Sequence, residues 1–371
     1  MKIGKIKFVI SAILVAALVP NLFMPPIINE DTPRVPAVFV PHAFVSWLNG
    51  KYALNDSTVV DVYGGDLGIV TKYQGRFYYI FGDTFGFNGT DWRSNTMAWS
   101  TDTNPVDGVV VNGWIVNDST HLARALFEPK HKINGAEYTT IPTTAITDGN
   151  KFYIYYMDIN NWGVAGVYNC NNASIAASSD GIHFTRISNM SWPGDSNFVM
   201  FAHVLSLNDA DNATGYEYLL ATPAGRYYSA YLLRVPQGQE LNQSAYSYYV
   251  GLDGQGNPQW NDDMSSAVSV FDRPVGEMSV MWDKYLQRYV AMYIEHYTAT
   301  IVLRTSKTLW GPWSDQIGVL NYKEFWGLYG SFMQPDLVEN EGQVVYFVVS
   351  QWWPTYATCF WKANLTSLLQ S

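Results

Sequence analysis

The chain of 371 residues holds only two cysteines, Cys170 and Cys359, too few for a disulfide framework. Charged residues are scarce as well, at 15%, and they leave a net charge of −10. That balance argues against nucleic acid and anionic membrane surfaces as partners. Beyond Phe23 no segment is apolar enough to cross a bilayer. Helical periodicity is almost missing. So are a Gly-x-Ser-x-Gly nucleophile elbow, a glycine loop for phosphate and a cluster of metal-ligating side chains, and no metal or cofactor is expected. Asn208–Asn212 faintly resembles a calcium loop, but Ala213 and the lack of a closing Glu deny it ligands.

What the chain has instead is aromatic surface, 16% of residues, with 14 Trp and 26 Tyr. A surplus of flat rings with few charges suits an extracellular β-rich protein that handles sugars. Lys2, Lys5 and Lys7 precede the apolar run Phe8–Val19 and Pro20, the layout of a secretory signal. Residues 1–24 are therefore expected to be a signal peptide, or else a membrane tether through residues 8–23. Eight N-x-S/T sequons agree with a secreted glycoprotein. A Pro-rich tether and closing segment is expected over residues 25–56, with one folded body over 57–371.

That body repeats one meander five times. Its middle strand recurs as Arg76–Asp83, Lys151–Asp158, Tyr216–Pro223, Arg288–His296 and Gln343–Trp352. Each copy follows a turn and a shorter strand and precedes a third, at blade-sized rather than solenoid-sized intervals. The pattern predicts an all-β fold, a five-bladed β-propeller. The fifth unit ends without an outer strand, so a segment between Ala37 and Tyr63 is expected to supply it and close the ring. Cys170 and Cys359 then fall on blades that do not touch, and both are expected as free thiols.

In such a ring the ends of the repeats meet around one axis, and the polar residues cluster at one face. Splitting a glycosidic bond takes two carboxyl groups, one as acid and one as base or nucleophile. Asp66, Glu137 and Glu277 are each placed just before an inner strand, where they would line the mouth of the pocket. Asp66 is expected as the base, Glu277 as the acid and Glu137 as the group that tunes them. Asp83, Arg93, Asn95, Trp162, His203, Arg226 and Trp352 are the expected substrate contacts. Asp83 has a competing role as a turn cap, and His203 as a core histidine.

The ordered set Gly64-Gly65-Asp66-Leu67-Gly68, Phe81-Gly82-Asp83-Thr84-Phe85, Trp92-Arg93-Ser94-Asn95-Thr96, Glu137 with Ile141-Pro142-Thr143, Thr222-Pro223-Ala224-Gly225-Arg226 and Gly276-Glu277-Met278-Ser279-Val280 resembles a propeller family long filed as a domain of unknown function. Some microbial members of that family are endo-acting D-arabinofuranosidases. The resemblance spans about Val62 to Ala363 and implies a furanoside hydrolase acting on a glycan such as arabinan. By analogy with other five-bladed furanosidases, it implies an inverting reaction. An exported, monomeric glycosidase with a polysaccharide substrate is the expectation. A sugar-binding propeller without catalysis is its rival.

Overall fold

The computed structural model describes residues 35–130 and 132–370. The expected export signal and membrane tether lie outside them. Among the described residues no helix is long and apolar enough to span a membrane.

Five antiparallel sheets surround a common axis, giving the five-bladed β-propeller that the repeats predict. The inner strands of the five blades are Gly64–Tyr73, Thr139–Asp148, Met200–His203, Met278–Asp283 and Leu328–Glu339. The first hairpin shows why the local sequence folds so readily. Tyr73 pairs with Arg76, and the two residues between them, Gln74 and Gly75, both have positive φ. That is the turn whose twist matches the strands it joins.

The middle strands do not alternate apolar and polar residues. In Lys151–Trp162, the run from Phe152 to Ile159 is buried without a break. Each blade is covered on both faces by its neighbours, so both sides of the pleat must be apolar. Tyr79, Tyr155, Tyr293 and Tyr346, one from each of four blades, are wholly buried. Much of the aromatic content is thus inter-blade packing.

The fifth blade takes its outer strand from the start of the described chain. His42–Trp47 runs antiparallel to Ala357–Asn364, with His42 opposite Ala363 and Trp47 opposite Cys359. The edge left by the short fifth repeat is covered, and the two ends of the chain are fastened by main-chain hydrogen bonds. Cys170 and Cys359 are both free.

Near the axis Leu67, Met157, Phe201, Met278, Phe332 and Glu277 line a small cavity of about 10 Å³, no more than one water needs. The ring has two mouths, one at each end of the inner strands. The inner strands begin at one of them, beside Asp66 and Glu277. They end at the other, where a cleft of about 440 Å³ is lined by Lys72, His203, Asp283 and Gln334 among others.

Candidate active site

Asp66 sits in the inner strand of blade one at a break in its pairing. The register slips on either side of Leu67, whose φ is 63°, followed by Gly68 at 75°. A branched residue in the left-handed region is held there by its surroundings. Here the Leu67 N–H donates to Ser350 Oγ at 2.7 Å. The resulting bulge re-aims the side chain that precedes it. Asp66 Oδ2 accepts the Tyr329 hydroxyl at 2.7 Å, and the Tyr356 hydroxyl also faces this carboxyl. Oδ1 is buried without a hydrogen-bond partner. It lies against Gly82, where an added Cβ would come within 2.5 Å of it. Burial lifts the Asp66 pKa to about 6 against the help of both tyrosines, and the Glu277 charge adds to the rise.

Asp83 stands near the end of the next strand. Its Oδ1 accepts from Trp92 Nε1 at 2.7 Å and from Thr139 Oγ1 at 2.8 Å. Burial and then the charge of Asp66 push its pKa to about 7. Glu277, at the start of blade four, is forked by Arg226: Nε reaches Oε1 and Oε2 at 3.0 and 2.9 Å, and Nη2 reaches Oε1 at 2.7 Å. The guanidinium also lies 4.9 Å over the Tyr329 ring. Glu277, Asp66 and Asp83 thus form a series in which the charge of each acid raises the next.

Glu137 stands apart from that series. Its Oε1 takes Arg186 Nη2 at 2.7 Å, and the same nitrogen reaches Asp158 Oδ2 at 3.0 Å. Its Oε2 accepts the Lys130 N–H. Burial would raise Glu137, but hydrogen bonds from Asp158, Arg186 and Lys130 hold it below the usual range. Burial and the Glu137 carboxylate push Asp158 up instead. The pair behaves as a carboxylate and a carboxylic acid clamped by one arginine. Asp83, which sequence reasoning placed among the substrate contacts, occupies the position of third acid.

Arg93 and Asn95 are both buried and spent on the backbone. The Arg93 guanidinium donates to the carbonyls of Asp61, Ala123 and Asp91. The Asn95 amide bonds the Phe127 and Thr140 carbonyls and the N–H groups of Leu126 and Phe127. Both staple the connection from blade one to blade two, and neither is open to a substrate. His203 is at the other mouth, bonded to Glu217 at 2.8 Å. The inner strand of blade three starts at Met200 and ends at His203, so the histidine lies a strand's length from where it was expected.

Trp162 and Trp352 remain at the acid-bearing mouth, Trp162 exposed against Tyr168 and Trp352 packed on Trp326 at 4.9 Å. A wall of rings runs beside the acids. Tyr356 meets Phe85 at 5.5 Å, Phe85 stacks along Trp92, and Trp92 meets Tyr138 at 5.2 Å. On the far side Tyr227 packs on His296 at 4.7 Å, and burial with the nearby Arg226 charge lowers the His296 pKa to about 4. Sequence reasoning missed Tyr329. The signal available was its place near the start of the fifth inner strand, one residue after Leu328.

No group of three or more His, Cys, Asp or Glu side chains among the described residues is arranged to hold a metal ion.

Residues 53–362 match a family described as a domain of unknown function, DUF4185. A curated relative, the Notoamide biosynthesis cluster protein J' of Aspergillus versicolor, is 28% identical over 323 residues, 82% of this chain and 85% of its own. Among solved structures, a Bacteroides ovatus ATCC 8483 protein described only as a proposed hydrolase superposes with a TM-score of 0.60 at 16% identity. It covers 84% of this chain and 88% of that one. An exo-β-1,3-galactanase of Phanerochaete chrysosporium, in complex with β-1,3-galactotriose, superposes with a TM-score of 0.53 at 12% identity, covering 88% of this chain and 65% of that one. At these identities the likeness is one of fold.

Proposed function

The chain belongs to the DUF4185 family, and from that premise and the pocket we propose that it hydrolyses a glycosidic bond in a furanose-containing glycan of the arabinan kind. The observation that carries this reading is the pair Asp66 and Asp83. Both are carboxyl groups pushed toward neutrality, to about 6 and about 7, in one aromatic-walled mouth. Two carboxyls that ionise one after the other near neutral pH can divide the work of base and acid. Asp66, which ionises first, takes the proton of the attacking water. Asp83, protonated longer, gives its proton to the leaving oxygen.

Glu277 has both oxygens engaged by Arg226, so the donor role expected of it passes to Asp83. Its charge instead raises Asp66. The wall from Tyr356 to Tyr138 offers flat faces for sugar rings. Inversion at the anomeric carbon follows from water attacking in a single step. Export through the N-terminal segment fits a polymer met outside the cell.

The test is incubation of the purified chain with D- and L-arabinans, galactofuranans and cell-wall glycans, following new reducing ends and the first-formed anomer by NMR. Release from a furanan, and from D-arabinan above all, is the expected result. The rival reading, a lectin, is favoured by one observation: Glu277 and Glu137 are both held in arginine pairs. Glycan binding without any new reducing end would establish it in place of the hydrolase.

A further inference from the structure

Oδ1 of Asp66 is sealed beside Gly82 and has no partner. The other oxygen, Oδ2, is the one to which Tyr329 donates at 2.7 Å, and the Tyr356 hydroxyl also faces this carboxyl. Burial and the Asp66 charge push the Tyr329 hydroxyl well above its ordinary pKa, so it keeps its proton and is the donor to the ionised Asp66 carboxylate. The same ring lies under the Arg226 guanidinium, 4.9 Å away, and that guanidinium holds Glu277 in a fork. One tyrosine thus touches the base candidate through its hydroxyl and the arginine–glutamate pair through its face. The bulge at Leu67 makes the meeting possible, because it turns Asp66 toward blade five.

Resting on the hydrolase reading above, we propose that Tyr329 is a positioning residue for the reaction. Its hydroxyl aims Oδ2 of Asp66 and favours the ionised carboxyl, and its ring ties that carboxyl to the Arg226–Glu277 pair. A phenol donating to a carboxylate stabilises the charged form. A cation over a ring face is held by the ring's quadrupole, a contact that survives loss of the hydroxyl. The two functions of the side chain can therefore be separated by substitution.

The experiment uses the full chain with carboxyl-¹³C aspartate. In Tyr329→Phe the ring stays and the hydroxyl goes. The Asp66 carboxyl, assigned by its disappearance in Asp66→Asn, then titrates above the wild-type value near 6. On the furanan cleaved by wild type, kcat falls about 10- to 100-fold, the worth of one hydrogen bond to a charged group. KM stays nearly constant, and the acidic limb of the pH profile moves to higher pH with the titration.

An Asp66 titration in Tyr329→Phe that overlays the wild type overturns the proposal. Should that variant fail to fold, 3-fluorotyrosine placed at position 329 is a stronger donor and must move the titration downward; no movement overturns the proposal equally. If wild type cleaves no glycan while the titration shifts as stated, the hydrolase reading fails and the Tyr329–Asp66 coupling stands.

Discussion

Glu277 and Asp66 are linked through a third residue, because the arginine that forks Glu277 rests on the ring whose hydroxyl holds Asp66. The acids on blades one and four therefore do not act as independent charges. A substitution at either end should be felt at the other.

Removing the carboxyls is the direct check on catalysis. Asp66→Asn and Asp83→Asn should each lower kcat by roughly 10²- to 10⁴-fold, the usual contribution of a positioned acid or base. Circular dichroism should show an intact fold. Activity near that of wild type in either variant would remove that residue from the mechanism.

The same two groups set a pH dependence of stability. An acid whose pKa is raised on folding costs nothing below its unfolded pKa, near 3.9. It destabilises progressively as pH rises, until the folded group has also ionised. For Asp66, raised to about 6, the full cost is about 3 kcal/mol. Asp66→Asn should therefore raise Tm at pH 8 and leave it nearly unchanged at pH 4. Equal shifts at both pH values would show that Asp66 ionises normally in the fold.

The activity profile should be bell-shaped, rising as Asp66 ionises near 6 and falling as Asp83 ionises near 7. The two limbs belong to the pair rather than to either residue alone. Trp92→Phe keeps the stack on Phe85 but removes an N–H that favours the Asp83 carboxylate. Its alkaline limb should move to higher pH. A limb that stays in place would assign the proton donor elsewhere.

Arg226→Met would leave the largely buried Glu277 near Asp66 without its fork. Loss of one partner from such a pair costs about 3–5 kcal/mol, which urea unfolding would measure. Arg226→Lys keeps the charge but cannot fork both oxygens, and an intermediate loss is expected. No loss in Arg226→Met would mean that the pair contributes little to the fold.

Deleting the segment through Trp47 would reopen the edge of the fifth blade along Ala357–Asn364. The expected outcome is a lower Tm and concentration-dependent association by light scattering, since an unpaired strand templates others. A monomer of unchanged Tm would show that ring closure does not depend on that strand.

The amino-acid sequence by itself determined the number of meanders, the ring they build and the convergence of Asp66, Glu277 and Arg226 at one mouth. Those features follow from strand spacing and turn chemistry, which are local. Only the tertiary structure decided which acids share a site. Glu137 precedes an inner strand just as Glu277 does, yet it is drawn to Arg186 on the outer part of its own blade. Asp83 reads as a turn cap, yet it faces Asp66. His203 went to the opposite mouth because its strand starts at Met200 and ends at the histidine. Side-chain direction in a sheet depends on register, which slips at a bulge such as Leu67. Register and bulges are fixed by packing between distant blades, which no local run of residues records.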